Sequence, residues 1–266
     1  MSKTLKAIIF VVLILVPIFF YRGLSRQKAT TKVETATVKN DVVTTKPKMA
    51  IIFDDLGESL SEVKEVYSLD IPVTISVIPG LKFSKNIAHI GDRCGFSVMV
   101  HMPMEPKNEK QYRTNKYKFI RAAMKRREIK SLLRYYLNSI KIAIGVNNHM
   151  GSAATEDFAL MSTVMEAIKE KKLIFIDSRT SLESVAYDAA IKTGLVAGFA
   201  EGFIDAIDDT AFIEKRIDQL AERARHKGKI IVIGHPKSKT FKALKKKLPA
   251  LKKEIDFVTI EDLFSL

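Results

Sequence analysis

The sequence predicts an α/β protein built as a closed or partly closed barrel of seven or eight parallel strands. Short runs rich in Ile, Val and Phe are apolar throughout, which is typical of strands buried on both faces. These runs alternate with helix-length segments, and repeated strand–helix units indicate a parallel sheet. This many units in about 215 residues favours a (β/α) barrel. An open doubly wound sheet is the second possibility.

The first 24 residues predict a membrane anchor. Lys3 and Lys6 precede an apolar run from Ala7 to Tyr21, which is typical of a secretory signal or a signal anchor. No cleavage site made of small residues follows the run, so we expect an uncleaved single-pass anchor rather than a cleaved signal. Such N-termini usually leave the bulk of the protein outside. We therefore expect an inner-membrane protein with its domain in the periplasm or otherwise outside the cytoplasm.

Residues 25–47 predict a flexible linker, because they are rich in Thr, Lys and Val and show no periodic apolar face. The folded domain is expected over residues 48–266. The formal net charge is +14, and residues 1–48 carry half of the excess with nine Lys or Arg and two Asp or Glu. The remaining basic residues are scattered over several helices, so we do not expect nucleic-acid binding.

The domain is predicted to contain eight strands, seven helices and the turns between them. In segment 211–227 the apolar residues keep a helical spacing, and Thr155 before two acidic residues is typical of a helix start. The strands are expected near residues 49–53, 73–78, 96–100, 142–146, 173–176, 196–199, 230–233 and 256–259. The helices are expected near residues 59–68, 84–93, 125–140, 156–171, 183–193, 211–227 and 238–247.

Polar side chains follow six of the predicted strands, at the point where each strand ends. In barrels and in open α/β sheets, active sites form at the carboxyl ends of the strands. Burying this many polar groups at one edge would be costly without a ligand, a metal or a substrate. We therefore expect a functional site there, drawn from Asp54, Asp55, His101, Glu105, Asn147, Asn148, His149, Asp177, Arg179, Glu201, Asp205 and His235.

The residue types predict metal-dependent hydrolysis. Carboxylate and imidazole ligands without cysteine suit a divalent metal such as zinc. Three protein ligands would leave positions open for water and substrate. A spare carboxylate would accept the proton of the water, and a spare imidazole would protonate the leaving group. The single cysteine, Cys94, excludes a disulfide within the chain, and the sequence contains no Gly-x-Ser-x-Gly, Walker A or dinucleotide-binding motif.

The same residues resemble the divergent polysaccharide deacetylase family over roughly residues 48–264. The matching stretches are IFDDLG at 52–57, HMPMEP at 101–106, GVNNHMGS at 145–152, DSRT at 177–180 and IGHP at 233–236. The resemblance implies a deformed (β/α) barrel and a divalent metal, usually zinc. It also implies an acetylated glycan as substrate, with removal of acetyl groups from a polysaccharide or from peptidoglycan.

The resemblance further implies a role for five side chains. Asp54 would be the general base, and Asp55 and His101 would be metal ligands. His235 would be the general acid that protonates the departing amine or alcohol. Arg179 would hold the base carboxylate in its ionised form through its opposite charge.

This chain departs from the family pattern at two places. Where the pattern has a second histidine four positions after the first, this chain has Glu105. The third metal ligand is therefore open between His149, Glu105 and Asp177. After the sixth strand, related sequences tend to carry an Arg-Asp pair, and this chain has Ala200 and Glu201 instead.

Two other functions stay open at this point. A non-catalytic envelope protein on the same barrel would bind a glycan or a partner, although such a protein needs neither a base nor an acid. A metal hydrolase of phosphoester or amide bonds often holds two metals, and the sequence offers too few ligands for two. The basic stretch 107–130 would contact an anionic glycan or a phospholipid surface, or would be a solvated face.

Overall fold

The computed structural model describes residues 45–108 and 118–266. Its eight strands form one sheet in which every neighbouring pair is parallel, as the continuous apolar runs predict. The strands are β1 (Lys48–Leu56), β2 (Thr74–Val77), β3 (Ser97–Met104), β4 (Gly145–Met150), β5 (Ile174–Asp177), β6 (Ala197–Phe199), β7 (Lys229–Gly234) and β8 (Asp256–Val258).

Helices connect the strands. Several begin at a side-chain cap: Ser59 and Glu62 form a capping box, and Asp157 and Asp209 each accept a backbone N–H of the first turn. A single 3₁₀ turn covers Ala154–Glu156. The helices are α1 (Leu60–Tyr67), α2 (Ser84–Arg93), α3 (Arg126–Ser139), α4 (Phe158–Glu170), α5 (Ala186–Thr193), α6 (Thr210–Lys227), α7 (Ser238–Leu251) and α8 (Ile260–Phe264).

The sheet is a nearly closed barrel. The strand order is β6-β5-β4-β3-β2-β1-β7, with β8 paired to the first residues of β1. Closure comes from the segment that follows β6. The N–H of Ile204 donates to the carbonyl of Ile233 at 2.7 Å, and the N–H of Ile233 donates to the carbonyl of Gly202 at 3.1 Å. The predicted barrel is thereby confirmed over the open doubly wound sheet.

Both faces of the sheet are buried. A small cluster of buried side chains includes Ile52, Met99, Ile176 and Ile233. A much larger cluster includes the alternate residues of the same strands and the apolar faces of the helices. Since successive side chains of a strand point to opposite faces, the small cluster fills the barrel and the large one lies between the sheet and the helices.

Three strands continue three or four residues past their predicted ends. The predictions for β1, β3 and β4 stopped at residues 53, 100 and 146, whereas these strands end at Leu56, Met104 and Met150. The apolar runs end earlier than the strands, because polar side chains at the carboxyl ends bond to one another inside the barrel. Most of the predicted site residues are therefore strand residues and not loop residues. The short helix α8 was not predicted.

The predicted anchor (1–24) and nearly all of the predicted linker (25–47) lie outside the described residues. Among the residues that are described, no helix combines the length and the apolar character needed to cross a membrane. The described residues fall in one compact unit, Thr45–Leu266. The proposed division of the chain into anchor, linker and domain stays a prediction.

Candidate active site

Two adjacent aspartates at the end of β1 point to the same centre. In a regular strand, neighbouring side chains would point to opposite faces. Here the pairing of β1 with β2 shifts its register between Phe53 and Leu56, and Asp55 has a positive φ of 66°. A left-handed backbone is more accessible to Asp than to most residues. The irregularity turns both carboxyl groups towards the histidines of β3 and β4, as a bulge beside an active site does.

His101 links the two aspartates. Its Nε2 lies 3.0 Å from Oδ1 of Asp55 and 3.7 Å from Oδ2 of Asp54. Its Nδ1 lies 2.8 Å from Oδ1 of Asn147, whose Nδ2 donates to Oδ1 of Asp54 at 2.8 Å. Because the amide oxygen of Asn147 can only accept, Nδ1 of His101 carries the proton. The lone pair of a neutral His101 is then on Nε2, which faces the carboxylates.

Burial competes with nearby charges and hydrogen bonds in setting the pKa values of this group. Asp54 is 1% exposed, and burial raises its pKa to about 6, although the nearby histidines and Asn147 oppose the shift. Burial alone would lower the pKa of His101, but the carboxylates of Asp54 and Asp55 raise it above the usual value. For Asp55, burial alone would raise the pKa, but the hydrogen bonds and charges of His101 and His149 hold it well below its usual range.

His149 completes a group of three potential metal ligands. Its Nδ1 lies 2.7 Å from Oδ1 of Asp55, and its ring packs edge-on against that of His101 with the centroids 4.9 Å apart. Asp55, His101 and His149 each offer one ligand atom, and these atoms lie within 4.8 Å of one another. Burial lowers the pKa of His149, which favours the neutral imidazole that a metal requires.

His235 approaches the same centre from β7. Its Nε2 lies 3.8 Å from Oδ2 of Asp55, and its ring stacks on Phe203. Nδ1 of His235 donates to Oδ1 of the buried Asp205 at 2.8 Å, and its backbone N–H donates to Oδ2 at 3.0 Å. Thr240 donates to the same carboxylate at 2.7 Å. Burial alone would lower the pKa of His235, but Asp205 and Asp55 raise it.

Three of the predicted site residues make other contacts. Glu105 accepts a hydrogen bond from Arg121 at 3.1 Å. Asp177 accepts the backbone N–H of Arg179 and the hydroxyl of Ser184, both at 2.8 Å. The guanidinium of Arg179 lies over the Phe199 ring, 3.6 Å from its centroid. Within the described part of the chain, Arg179 forms no ion pair with Asp54, and Glu105 and Asp177 do not join the ligand group. The geometry favours His149 as third ligand.

Sequence reasoning gave no role to the residues that orient these side chains. Ser76 donates to Oδ1 of Asn147 at 2.5 Å and so fixes the amide that contacts both Asp54 and His101. Asn148 accepts the backbone N–H of Ser178 and thereby joins β4 to the end of β5. One signal in the sequence could have indicated Ser76, because this polar residue lies between the apolar Ile75 and Val77 of a predicted strand.

The chain is similar to a described family, to other protein sequences and to solved structures. A family described as divergent polysaccharide deacetylase matches residues 51–264. An uncharacterized protein of Haemophilus influenzae is 30% identical over 217 residues, which are 82% of this chain and 76% of that protein. Structural similarity extends the comparison to more distant proteins.

The crystal structure of an uncharacterized protein of Agrobacterium tumefaciens C58 superposes with a TM-score of 0.76 at 22% identity, over 83% of this chain and 90% of that one. A peptidoglycan N-acetylglucosamine deacetylase superposes with a TM-score of 0.51 at 12% identity, over 83% of this chain and 89% of that one. At these identities the two structures show a shared fold alone.

Proposed function

Because the chain belongs to the divergent polysaccharide deacetylase family, we propose that it is a metal-dependent hydrolase that removes acetyl groups from a polysaccharide or from peptidoglycan of the cell envelope. One observation carries the proposal. Two side chains suited to proton transfer, Asp54 and His235, each lie within 4 Å of a member of the potential ligand group of Asp55, His101 and His149.

The donor set suits a divalent metal, and we propose zinc. One carboxylate and two imidazoles are common zinc ligands that leave room for water and substrate. Asp55, His101 and His149 would hold the ion. The hydrogen bond from Nδ1 of His101 to Asn147 orients the His101 ring as a ligand. When bound, zinc supplies Lewis acidity, which lowers the pKa of water and polarises an acetyl carbonyl.

Asp54 is suited to be the general base. Its pKa of about 6 leaves it ionised at neutral pH while keeping it a stronger base than an ordinary aspartate. The hydrogen bond from Asn147 fixes one carboxylate oxygen, so the other is directed at the centre. Asp54 would accept a proton from the water as the water oxygen bonds to the acetyl carbon.

His235 is suited to be the general acid. Asp205 holds its Nδ1 and favours the protonated ring, so Nε2 carries a proton towards the centre. His235 would give this proton to the amine or alcohol as the bond between that group and the acetyl carbon breaks. The products are acetate and the deacetylated sugar. A candidate base and a candidate acid beside the same ligand group favour this enzyme over a protein that only binds glycan.

Four variants of the full chain test the assignment. Asp54→Asn and His235→Ala should reduce acetate release from acetylated glycans by about a hundredfold or more, while the fold and most of the metal remain. Asp55→Asn and His101→Ala should lose the metal. Metal content by mass spectrometry, acetate assays and circular dichroism give the three readouts.

Matched controls are His89→Ala and His226→Ala, because both histidines lie exposed on helices α2 and α6. If all four site variants release acetate like the parent, the assignment is wrong. Metal binding without acetate release from any glycan would instead support a glycan- or partner-binding protein on this barrel.

We also propose that residues 1–24 anchor the protein in the inner membrane with the domain outside the cytoplasm. The basic and apolar pattern of this segment supports the proposal. Protease added to intact spheroplasts should then digest the domain, whereas a cytoplasmic domain would be protected until lysis.

A further inference from the structure

Four exposed lysines lie at the end of the barrel opposite to the candidate active site. Lys141 precedes β4, and Lys169, Lys171 and Lys172 precede β5. In a parallel barrel these positions share the amino ends of the strands, whereas the site lies at the carboxyl ends. We refer to Lys141, Lys169, Lys171 and Lys172 as the basal lysine patch.

No lysine of the basal patch has its charge neutralised by a carboxylate among the described residues. Nζ of Lys169 donates to the carbonyl of Thr193 at 2.7 Å, and Nζ of Lys171 donates to the side-chain oxygen of Asn138 at 2.9 Å. Some exposed lysines elsewhere on this domain are paired with a carboxylate, as Lys246 is with Glu214 at 2.6 Å. The patch therefore presents a local excess of positive charge.

Two neighbouring hollows with apolar floors lie between these lysines. Lys169 and Lys172 border a hollow of about 560 Å³, and Lys141 and Lys171 border one of about 600 Å³. The two hollows share Ala143 and Leu173 as lining residues. The first is also lined by Ile144, Leu195, Val196 and one acidic residue, Glu261.

Apolar surface beside a cationic rim matches the chemistry of a phospholipid surface. Lysines placed near anionic headgroups each favour binding, and exposed apolar side chains gain from burial at the interface. Val196 contributes such a side chain, since it is 45% exposed. A soluble polyanion would use the lysines but would gain nothing from the apolar floors.

The chain enters the barrel at this same end. Residues 45–47 lead into Lys48, the first residue of β1, and the amino ends of all parallel strands share one side of the sheet. The predicted anchor and linker precede this point in the sequence. A membrane attachment at residues 1–24 would raise the local concentration of phospholipid near the basal end.

We propose that the basal lysine patch docks on a phospholipid surface that contains anionic headgroups. Docking there leaves the candidate active site directed away from the lipid, towards material that lies beyond the membrane surface. The proposal does not depend on the reaction that the site catalyses, because the patch shares no residue with it.

Vesicle binding by residues 45–266 tests the proposal without the predicted anchor. This unit is compact and contains both buried clusters and all eight strands. We expect it to sediment with vesicles that contain phosphatidylglycerol and not with vesicles of phosphatidylcholine alone. Replacing the four lysines of the patch by glutamine should weaken binding by about tenfold or more, with an unchanged circular dichroism spectrum and acetate release.

A matched control has the same change of charge on another face. Lys242, Lys245, Lys246 and Lys247 lie on α7, and the last three pair with acidic residues. Their replacement by glutamine should leave most vesicle binding intact. An equal loss in both quadruple variants would overturn the proposal, as would no binding by the parent. Patch-dependent binding to soluble polyphosphate without binding to vesicles would also overturn it.

Discussion

At the scale of single residues, two neighbouring aspartates have pKa values that move in opposite directions. Asp54 is enclosed by the barrel, and burial raises its pKa to about 6. Burial opposes ionisation of Asp55 too, but two imidazoles within 3.0 Å hold its pKa well below the usual range. Two carboxyl groups whose environments move their pKa values apart are suited to different roles, here as a proton acceptor and as a metal ligand.

These shifts predict a bell-shaped dependence of kcat/KM on pH. Asp54 must be ionised, so activity should fall as the pH drops through its pKa, which is about 6 in the metal-free site and lower beside a cation. His235 must be protonated, so activity should fall as the pH rises through its pKa, which is raised in the metal-free site and lower beside a cation. Acetate release measured across the pH range checks both limbs.

Asp205→Asn tests the origin of the basic limb. Removing the carboxylate that favours the protonated His235 should move the basic limb to lower pH and leave the acidic limb in place. The variant Lys239→Gln is a suitable control, because Lys239 pairs with Asp208 on the surface. A lower activity at every pH with no shift of the basic limb would contradict the role given to Asp205.

The sequence predicted the acids and imidazoles that the structure brings close together, but it did not show which residues orient them. Asp54, Asp55, His101, His149 and His235 follow apolar runs and are recognisable individually. The bond between Asn147 and Asp54 joins residues 93 positions apart, and that between Ser76 and Asn147 joins residues 71 positions apart. No local pattern encodes such pairs. The expected contact of Arg179 with Asp54 is replaced by stacking on Phe199.

At the scale of helices and strands, the apolar periodicity located all eight strands and seven of the eight helices of the described domain. The ends of the strands that carry the candidate site were less predictable. β1, β3 and β4 continue through polar residues, since their side chains satisfy one another inside the barrel. The five residues of α8 are too few for a periodic pattern.

The start of α6 offers a stability test at this scale. Asp209 accepts the N–H of Phe212 at 2.8 Å, so Asp209→Ala should reduce the free energy of unfolding by about 1 kcal/mol. Its neighbour Asp208 makes an exposed ion pair, and Asp208→Ala should change stability much less. Urea unfolding compares the two variants, and equal losses would argue against the cap.

At the scale of the whole molecule, the number of strand–helix units favoured a barrel, whereas the contacts that close it were not predictable. An open sheet and a barrel have the same apolar runs, and the choice depends on backbone hydrogen bonds between the segment after β6 and β7. Backbone groups are the same in every residue, so such bonds leave little trace in the sequence. Glu201 departs from the family pattern after the sixth strand, and it lies in the segment that closes the barrel. Its carboxylate pairs with Arg223 and Lys227.

Metal binding should stabilise the entire domain, because the ligands come from three strands. At a metal concentration a hundredfold above Kd, the gain is about 2.7 kcal/mol for an ion that binds only the folded state. Zinc should therefore raise the Tm of the parent, and a chelator should reverse the change. Asp55→Asn should show neither effect, and Asp92→Asn on helix α2 serves as its control. An equal zinc effect in Asp55→Asn would place the metal elsewhere.

The segment that closes the barrel also supplies the partner of the general acid. Asp205 follows directly after Ile204, whose N–H bonds to β7. Local opening at this point would separate the segment after β6 from β7 and withdraw Asp205 from His235, while the strand pairs stay formed. Hydrogen exchange at the amides of Ile204 and Ile233 would then report on catalytic competence. The least extensive strand pairing of the barrel would thus limit the thermal range of activity more than the global unfolding temperature does.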